Sequence, residues 1–176
     1  MVLAQGAPIK LGSILDNSGN LDAYGKPMVM ATTLAAEEIN AAGGLLGRKI
    51  QVVQYDSQSD IALYTKYAQQ LTRDDKVDVT HGGITSASRE AIRQTFNRAN
   101  SLYFYNVLYE GGVCDRNIVC TGTTPAQAKA LLNRFGSFGA VIGASVEELK
   151  TVSGIGESAA IDLKLLHEAA LRAGRD

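Results

Sequence analysis

One stretch decides the fold of this chain, and it reads Val77-Asp78-Val79-Thr80-His81-Gly82-Gly83-Ile84-Thr85-Ser86-Ala87-Ser88. Its first part, residues 77–83, predicts a β-strand that ends on two glycines. Its second part opens a helix at Ser86. A strand that passes into a helix in this way is the unit from which parallel α/β sheets are built.

The same alternation of strand and helix continues on both sides of this stretch. Strands are predicted at residues 9–15, 49–55, 77–83, 102–105 and 118–121, and helices at residues 27–42, 60–73 and 86–99. Strands separated by helices of about ten to fifteen residues predict right-handed βαβ crossovers. The predicted fold class is therefore α/β, a doubly wound parallel sheet, in which ligands bind outside the carboxyl ends of the strands.

The helix predicted at residues 27–42 is apolar on one side and ends at Gly43-Gly44. Its apolar residues follow helical spacing and predict the face that packs on the sheet: Met28, Ala31, Leu34, Ala35 and Ile39. The helix at residues 60–73 has an inward face of the same kind, made of Ala62, Tyr64, Ala68 and Leu71.

The chain changes character at Pro125. Beyond it one apolar surface, broken at Gly136, is formed by Leu131, Leu132, Phe135, Phe138, Val141 and Ile142. Ser145 opens a short helix with Glu148 at the capping-box position. A Gly154-Ile155-Gly156 hairpin then leads into a final helix at residues 157–173. The sequence therefore predicts two domains, an α/β domain at 1–126 and an all-helical module at 127–176.

Composition and residue spacing argue against several classes of function. The 176 residues carry 17 Lys and Arg against 18 Asp and Glu, a net charge of −1, which disfavours a dominant polyanion-binding surface. No apolar run reaches the roughly 18 residues of a membrane span, so no membrane insertion is expected. His81 and His167 lack metal-ligand spacing, and no paired carboxylates or nucleophile–histidine arrangement is evident. We therefore expect no enzyme activity, no cofactor and no metal.

The glycines and hydroxyls around Ser86 form the candidate binding loop. Amides at a helix N-terminus, together with hydroxyl groups, suit a carboxylate or an amide oxygen. The alternative is that Ser86 is simply the N-cap of the helix. A P-loop is not indicated, because its Lys and its spacing are missing. Tyr105 and Tyr109 near the end of a strand are either core residues or the walls of a pocket.

The first part resembles the periplasmic substrate-binding proteins of ABC importers, in the type I group that takes branched-chain amino acids, short amides or urea. The resemblance covers about residues 8–126. It is carried by residues 36–50, Thr85-Ser86-Ala87-Ser88-Arg89, Tyr105, Tyr109-Glu110-Gly111, Asn117-Ile118, Thr121-Gly122 and Thr124-Pro125.

This resemblance implies a flavodoxin-like lobe that binds a small amino acid or amide. Ser86, with Thr85 and Ala87, would hold the polar head of the ligand, while Tyr105, Val107 and Tyr109 would line the cleft. The pattern stops at the crossover into the second lobe, so weak binding is expected. Ile84 and Val107 stand where some amide binders carry an aromatic residue and a hydroxyl, which leaves the ligand open.

Cys114 and Cys120 share a turn-rich stretch. In an exported protein they would form a disulfide that closes a short loop, and in a cytosolic protein they would be free thiols. The resemblance to an exported family favours the disulfide and a periplasmic location. The seven residues from Met1 to Ala7 are too short for a secretion signal, so a cytoplasmic location as expressed stays open.

The second part resembles the helix-hairpin-helix region of RadC-type DNA repair proteins, on the residues from Ala128 through the Gly154-Ile155-Gly156 hairpin to Ala170. The resemblance implies that Gly154, Gly156, Ser158 and Lys164 contact a DNA phosphate. Ser153 replaces the usual proline, and Glu157 opposes an anion. We therefore expect weak DNA binding at most.

Two unrelated families in one chain predict a chimera, and three functions stay open. The chain is a solute-binding lobe with a helical cap, a DNA-binding module on an α/β scaffold, or a structural protein with neither activity. Without a second lobe the cleft side lacks its usual cover. We expect the helices at 128–176 to pack over that side or to serve a homodimer.

Overall fold

The computed structural model describes residues 6–107, 109–157, 159–161 and 163–164. These residues form two compact units. The first contains the described residues up to Val107 together with Val113–Cys120. The second contains the described residues of Leu108–Gly112 and Thr121–Asp176.

The first unit is built on a five-stranded sheet in which every strand pair is parallel. The strands are β1 (Ile9–Leu15), β2 (Ile50–Asp56), β3 (Val79–Gly82), β4 (Leu102–Tyr105) and β5 (Ile118–Cys120), in the spatial order β2-β1-β3-β4-β5. The helices are α1 (Asp22–Ala41), α2 (Ile61–Gln70), which a π-helical turn at Leu71–Asp75 extends, and α3 (Ser86–Ala99). The predicted doubly wound parallel sheet is confirmed.

Buried residues of α2 and α3 form part of the core of this unit. Tyr64, Ala68 and Leu71 are buried, as the helical spacing of that segment predicts, whereas Ala62 is exposed. Phe96 of α3 stacks on Tyr103 of β4 with ring centroids 4.8 Å apart. Aromatic pairs in this geometry add stabilisation beyond the apolar area that they bury. This core fixes α3, and therefore the loop that precedes it, against the sheet.

Helix α1 differs from the prediction in its start and in its buried face. It begins at Asp22, so Pro27 lies inside the helix, and an ion pair of 2.6 Å joins Asp22 to Lys26 in its first turns. Its buried residues are Gly25 and Ala36, and not the predicted apolar set. Gly25 permits a close approach to the segment after β1, because a Cβ there would lie 1.9 Å from the carbonyl oxygen of Asp16. The helix can approach the end of β1 only through this glycine.

An apolar groove of about 390 Å³ lies between α1 and the sheet. Leu11, Val79 and Phe104 line it from the strands, and Ala35 and Ile39 line it from α1. Beside it, α1 leaves Leu34 56% exposed and Met30 71% exposed. Some residues of α1 that were predicted to face the sheet therefore face solvent and form an apolar surface.

The disulfide predicted for the oxidised protein stays a prediction. Cys114 and Cys120 are both free thiols in the structure. Cys120 ends β5 opposite Tyr105 of β4, whereas Cys114 precedes the turn that leads into β5. Burial raises the pKa of the Cys120 thiol, and the positive charge of the neighbouring Arg89 partly offsets this rise.

The second unit is helical, as predicted. It contains α4 (Pro125–Phe135), α5 (Phe138–Gly143), α6 (Val146–Lys150) and a helical segment at residues 157, 159–161 and 163–164. Thr124, Ser137 and Ser145 cap the three named helices, and Ser145 with Glu148 forms the predicted capping box. The core of this unit consists of Leu131, Val141, Ala144, Leu149, Val152, Ile155, Ala160 and Leu163. The rest of the predicted final helix, with His167, lies outside the described residues. Within the described ranges, no helix combines the length and apolar character that a membrane span needs.

Candidate ligand-binding site

The loop between β3 and α3 holds the candidate site, and two glycines give it its shape. Gly82 has a φ of +135° and Gly83 a φ of +79°, a region that side chains with a Cβ rarely adopt. A Cβ on Gly82 would also lie 2.1 Å from the carbonyl oxygen of Ile14 on β1. The glycines therefore let the chain turn tightly against the neighbouring strand at its carboxyl end.

Two buried tyrosines of β4 support this loop through hydrogen bonds. The hydroxyl of Tyr103 donates a hydrogen bond of 3.0 Å to the carbonyl of Gly82, and that of Tyr105 donates one of 3.0 Å to the carbonyl of Ile84. Both tyrosines are fully buried. Burial raises the pKa of Tyr103 well above its usual value, so its hydroxyl remains a donor at physiological pH. Tyr105 is thus a core residue that supports the loop, and its contact with a ligand stays a prediction.

Thr85, and not Ser86, is the N-cap of α3. The Thr85 hydroxyl accepts a hydrogen bond of 3.1 Å from the amide of Ser88, and the Ser88 hydroxyl accepts one of 3.2 Å from the amide of Thr85. This reciprocal pair is a capping box. The alternative that Ser86 serves only as the cap is therefore wrong. Ser86 is instead the first residue of the helix.

Ser86 contacts a buried arginine. Nη1 of Arg89 donates a hydrogen bond of 3.3 Å to the Ser86 hydroxyl oxygen. The Arg89 side chain is only 4% exposed, and its guanidinium carbon lies 4.9 Å from the ring centre of Tyr105. Burial lowers the pKa of Arg89, but its hydrogen bond to Glu90 and the neighbouring groups Cys120, Glu90 and Tyr105 together raise that pKa above its usual value. A permanent positive charge therefore lies beside Ser86.

The carboxyl ends of β1 and β2 add a second polar region at this edge of the sheet. The buried carboxylate of Asp16 accepts a short hydrogen bond from the Ser57 hydroxyl and one of 3.1 Å from the amide of Ser59. The Ser18 hydroxyl donates a hydrogen bond of 2.7 Å to Asp56. These contacts tie the loop after β1 to the loop after β2.

Three of the six predicted ligand residues lie in the segment that joins β3 to the first turn of α3. Thr85, Ser86 and Ala87 are consecutive in the loop and first turn, and Ala87 is exposed. Val107 is half-buried in a bend shortly after β4. Tyr109 belongs to the second unit, so its place beside Tyr105 stays a prediction.

Sequence reasoning did not single out the contact between Arg89 and Ser86. Arg89 lies three residues after Ser86, and residues at this spacing share one face of a helix. That spacing, inside the stretch already singled out, was the available signal.

The residues predicted to contact DNA serve the second unit internally where they are described. Gly154 has a φ of +83°, and its carbonyl accepts a hydrogen bond of 2.7 Å from Nε2 of Gln127. Lys164 donates hydrogen bonds of 2.9 Å each to the carbonyls of Ile142 and Ala144 at the end of α5. The carbonyl of Gly156 accepts from the amide of Ala160. Ser158 lies outside the described residues, and a phosphate contact by these positions stays a prediction.

The fold places a polar loop at the carboxyl ends of parallel strands, where α/β sheets commonly bind ligands. Residues 9–140 match the family model of the periplasmic binding protein domain. Because that match covers well over half of the chain, the chain belongs to the periplasmic binding protein family. Residues 121–165 match the model of the SAM-like helix-hairpin-helix tandem. The narrower likeness to RadC-type proteins stays a prediction.

Solved structures of substrate-binding proteins share the fold. The branched-chain amino acid transporter substrate-binding protein LivJ from Streptococcus pneumoniae, solved in complex with isoleucine, is 28% identical with a TM-score of 0.57, over 64% of this chain and 33% of that one. A fatty acid ABC transporter substrate-binding protein from Thermomonospora curvata is 26% identical with a TM-score of 0.63, over 74% and 34%. An ABC-type branched-chain amino acid transporter from Rhodopseudomonas palustris, at 23% identity, has a TM-score of 0.59 over 72% and 35%. This chain therefore spans about a third of the length of these proteins.

Proposed function

We propose that the first unit is the ligand-holding lobe of a receptor for small amino acids or short amides, of the kind that serves ABC importers. The observation that carries the proposal is the supported loop at the start of α3. Its glycines, its capping box and two tyrosine hydroxyls fix Ser86 and the first-turn amides at the carboxyl edge of the sheet. The periplasm is the location that this family membership favours.

The loop supplies the chemistry that a carboxylate or amide oxygen requires. The helix dipole favours negative charge at the start of a helix, where backbone amides point outward. The Ser86 hydroxyl and the Arg89 charge lie at the same place. A ligand head bound here would exchange water for fixed donors, which yields a modest net free energy while water still has access.

We therefore expect weak binding by this chain alone. Receptors of this kind gain affinity when a second lobe closes over the ligand and excludes water. A single lobe offers about half of the contacts, so the dissociation constant should be about 1 mM or weaker, close to −4 kcal/mol of binding free energy.

Calorimetric titration with isoleucine, leucine, acetamide and urea tests the proposal. Ser86→Ala should weaken whatever binding the wild-type chain shows, whereas Ser153→Ala, an exposed serine of the second unit, should leave it unchanged. Equal binding by the Ser86→Ala variant would place the site elsewhere. Micromolar binding by the wild type would show that the chain has a complete cleft and is a working receptor.

The second candidate function is non-specific DNA binding by the second unit. The helix-hairpin-helix match at residues 121–165 favours it. Affinity for DNA depends on cationic contacts, and here Lys164 already donates to two carbonyls. We expect a dissociation constant in the range of about 10⁻⁴–10⁻⁶ M at physiological salt. Fluorescence anisotropy with duplex DNA measures it, and nanomolar binding that Lys164→Glu abolishes would make DNA binding the principal function.

We also infer that the chain joins two modules through one helix. The two family matches overlap at residues 121–140, and α4 lies within the overlap. A helix that satisfies both patterns is a natural point of fusion, because its capping box at Thr124 forms locally.

A further inference from the structure

The solvent-facing side of α1 carries exposed residues that recur at alternating steps of four and three. We call this set the α1 seam, and its members are Ala23, Pro27, Met30, Leu34, Glu37 and Ala41. Every member except Glu37 is apolar, and Met30 is 71% and Leu34 56% exposed. A helix of a globular unit ordinarily turns its apolar stripe toward the core, whereas this stripe is in contact with water.

The seam lies on the side of α1 that faces away from the sheet. The buried residues Gly25 and Ala36 are eleven positions apart, which is close to three turns, so they mark one side of the helix. Leu34 is two positions from Ala36, or about 200° around the helix axis, and therefore points away from that side. Alternating steps of four and three are the spacing at which helices pair side by side. A second helix can thus pack on the seam without disturbing the contact of α1 with the sheet.

The seam is complementary to itself when two copies of α1 run in opposite directions. A two-fold axis near Thr32 places Met30 of each copy opposite Leu34 of the other, so the largest apolar side chains of the seam meet at its centre. The same axis places Ala23 opposite Ala41 at both ends, where small side chains allow the helices to approach closely. Every contact occurs twice, as an isologous two-fold interface requires.

The charges on this side of α1 fit the same arrangement. Lys26 and Glu37 are eleven positions apart and therefore lie on one side of the helix. In the antiparallel pair, Lys26 of each copy comes beside Glu37 of the other. Lys26 is 55% exposed and pairs with Asp22 at 2.6 Å, and its ammonium group has three donors, enough for both carboxylates. A parallel pair would place Glu37 beside Glu37, so the charges favour the antiparallel direction.

We propose that two copies of this chain associate through the α1 seam as an antiparallel, two-fold symmetric helix pair. A second copy is the occupant that fits, because the seam matches its own apolar pattern and its own charges in a single register. The 20 residues of α1 span about 30 Å, so the pair buries little surface for a specific interface. We expect a reversible dimer with a dissociation constant of about 10–100 µM. This interface belongs to the first unit, whereas the sequence pointed to a homodimer served by the helices at 128–176.

Sedimentation equilibrium of the full chain, from about 1 µM to about 1 mM, measures the association. Leu34→Asp places a charge against Met30 of the second copy, and it should weaken the dimer by about tenfold or more. Met30→Asp makes the same change at the facing position and serves if Leu34→Asp does not fold. Leu46→Asp is the matched control, because Leu46 is 90% exposed, lies outside α1 and has a φ of +53°, which aspartate tolerates. It should leave the dissociation constant unchanged.

An exchange of charges tests the direction of the pair. Lys26→Glu and Glu37→Lys should each weaken the dimer by about threefold, because like charges then meet at both ends. The double variant restores opposite charges between the copies and should recover most of the wild-type affinity. Because Lys26→Glu also removes the ion pair with Asp22, circular dichroism is used to check that each variant keeps the wild-type helix content. A double variant that binds no tighter than the weaker single variant overturns the antiparallel pairing.

Other occupants of the seam would give different results. A wild-type chain that stays monomeric up to about 1 mM overturns the proposal. A dimer that both Leu34→Asp and Met30→Asp leave intact overturns it as well, since another surface then joins the copies. A monomer that sediments with phospholipid vesicles, and loses this binding in Leu34→Asp, would make the seam a membrane-facing surface and likewise reject the dimer.

Discussion

The hydroxyl of Tyr105 donates a hydrogen bond of 3.0 Å to the carbonyl of Ile84, and this bond joins the end of β4 to the loop before α3. Both residues are buried, so water does not readily replace the bond if it is lost. The conformation of the candidate site is therefore supported by β4, which is adjacent in space and about twenty residues away in sequence. Only the folded chain supplies such a long-range contact.

Tyr105→Phe removes this bond and leaves the Ile84 carbonyl without its donor. We expect the free energy of unfolding to fall by about 1–3 kcal/mol, the cost of an unsatisfied buried polar group. Urea denaturation followed by circular dichroism measures the change. Tyr24→Phe, at a tyrosine 64% exposed, should have almost no effect. Equal stability of the two variants would contradict this account of the loop.

Thr85→Ala removes the cap of α3. The amide of Ser88 then loses its acceptor, and we expect a loss of about 1 kcal/mol of stability. Thr85→Ser keeps the hydroxyl and should retain most of it. Chemical denaturation of both variants gives the comparison. Similar losses for alanine and serine would show that the methyl group, and not the cap, is what matters.

Gly25→Ala should be strongly destabilising. The added Cβ would lie 1.9 Å from the Asp16 carbonyl oxygen, so backbone must move, and we expect a cost of about 3 kcal/mol or more. Gly139→Ala, in α5, meets nothing within 4 Å and should stabilise its helix by up to about 1 kcal/mol. Thermal unfolding measures the stability of each variant. A Gly25→Ala variant as stable as the wild type would mean that α1 does not approach β1 so closely.

His81 should make stability depend on pH. Burial lowers the pKa of His81 below its usual 6.5, and its Nε2 lies 3.2 Å from the Thr32 hydroxyl oxygen. The unfolded chain therefore binds more protons than the folded chain as pH falls below 6.5. Stability is fully present above pH 6.5 and is lost as pH falls through the folded pKa. His81→Gln should make the denaturation midpoint less dependent on pH over this range, whereas Thr32→Val should keep the dependence of the wild type. The same pH dependence in the wild type and both variants would exclude His81 as the cause.

Lys164 is expected to stabilise the second unit. Lys164→Met leaves the carbonyls of Ile142 and Ala144 without their donor, at a cost of about 1 kcal/mol for a part-exposed site. Lys150→Met, at an exposed lysine of α6, is the control and should change little. Hydrogen exchange of α5 amides is the measurement, and unchanged protection in Lys164→Met would show that the contact carries no stability.

The sheet could be predicted because its signals are local. Each strand has its own apolar pattern, and glycines mark the end of β3 and of α1. The start of α1 could not be read in the same way. Pro27 suggested a helix beginning, but Gly25 precedes it and packs against the Asp16 carbonyl, a contact that helical spacing does not reveal.

The candidate site was only half visible in the sequence. Glycines and hydroxyls before α3 marked the loop, because turn residues and caps act over a few positions. The support from Tyr103 and Tyr105 and the burial of Arg89 depend on how β4 packs beside β3. The exposed Leu34 and Ile39 show the same limit, since helical spacing predicts an apolar face but not which surface covers it.

Gln127 has a consequence for the motions of the second unit. Its Oε1 accepts a hydrogen bond of 2.7 Å from the amide of Thr124, and its Nε2 donates one of 2.7 Å to the carbonyl of Gly154. The two halves of one rigid amide group therefore hold the start of α4 and the glycine turn together. Fraying of the helix start and opening of the turn cannot proceed independently, because either movement strains the same group. The two segments should open as one cooperative unit, with a single opening free energy in place of two.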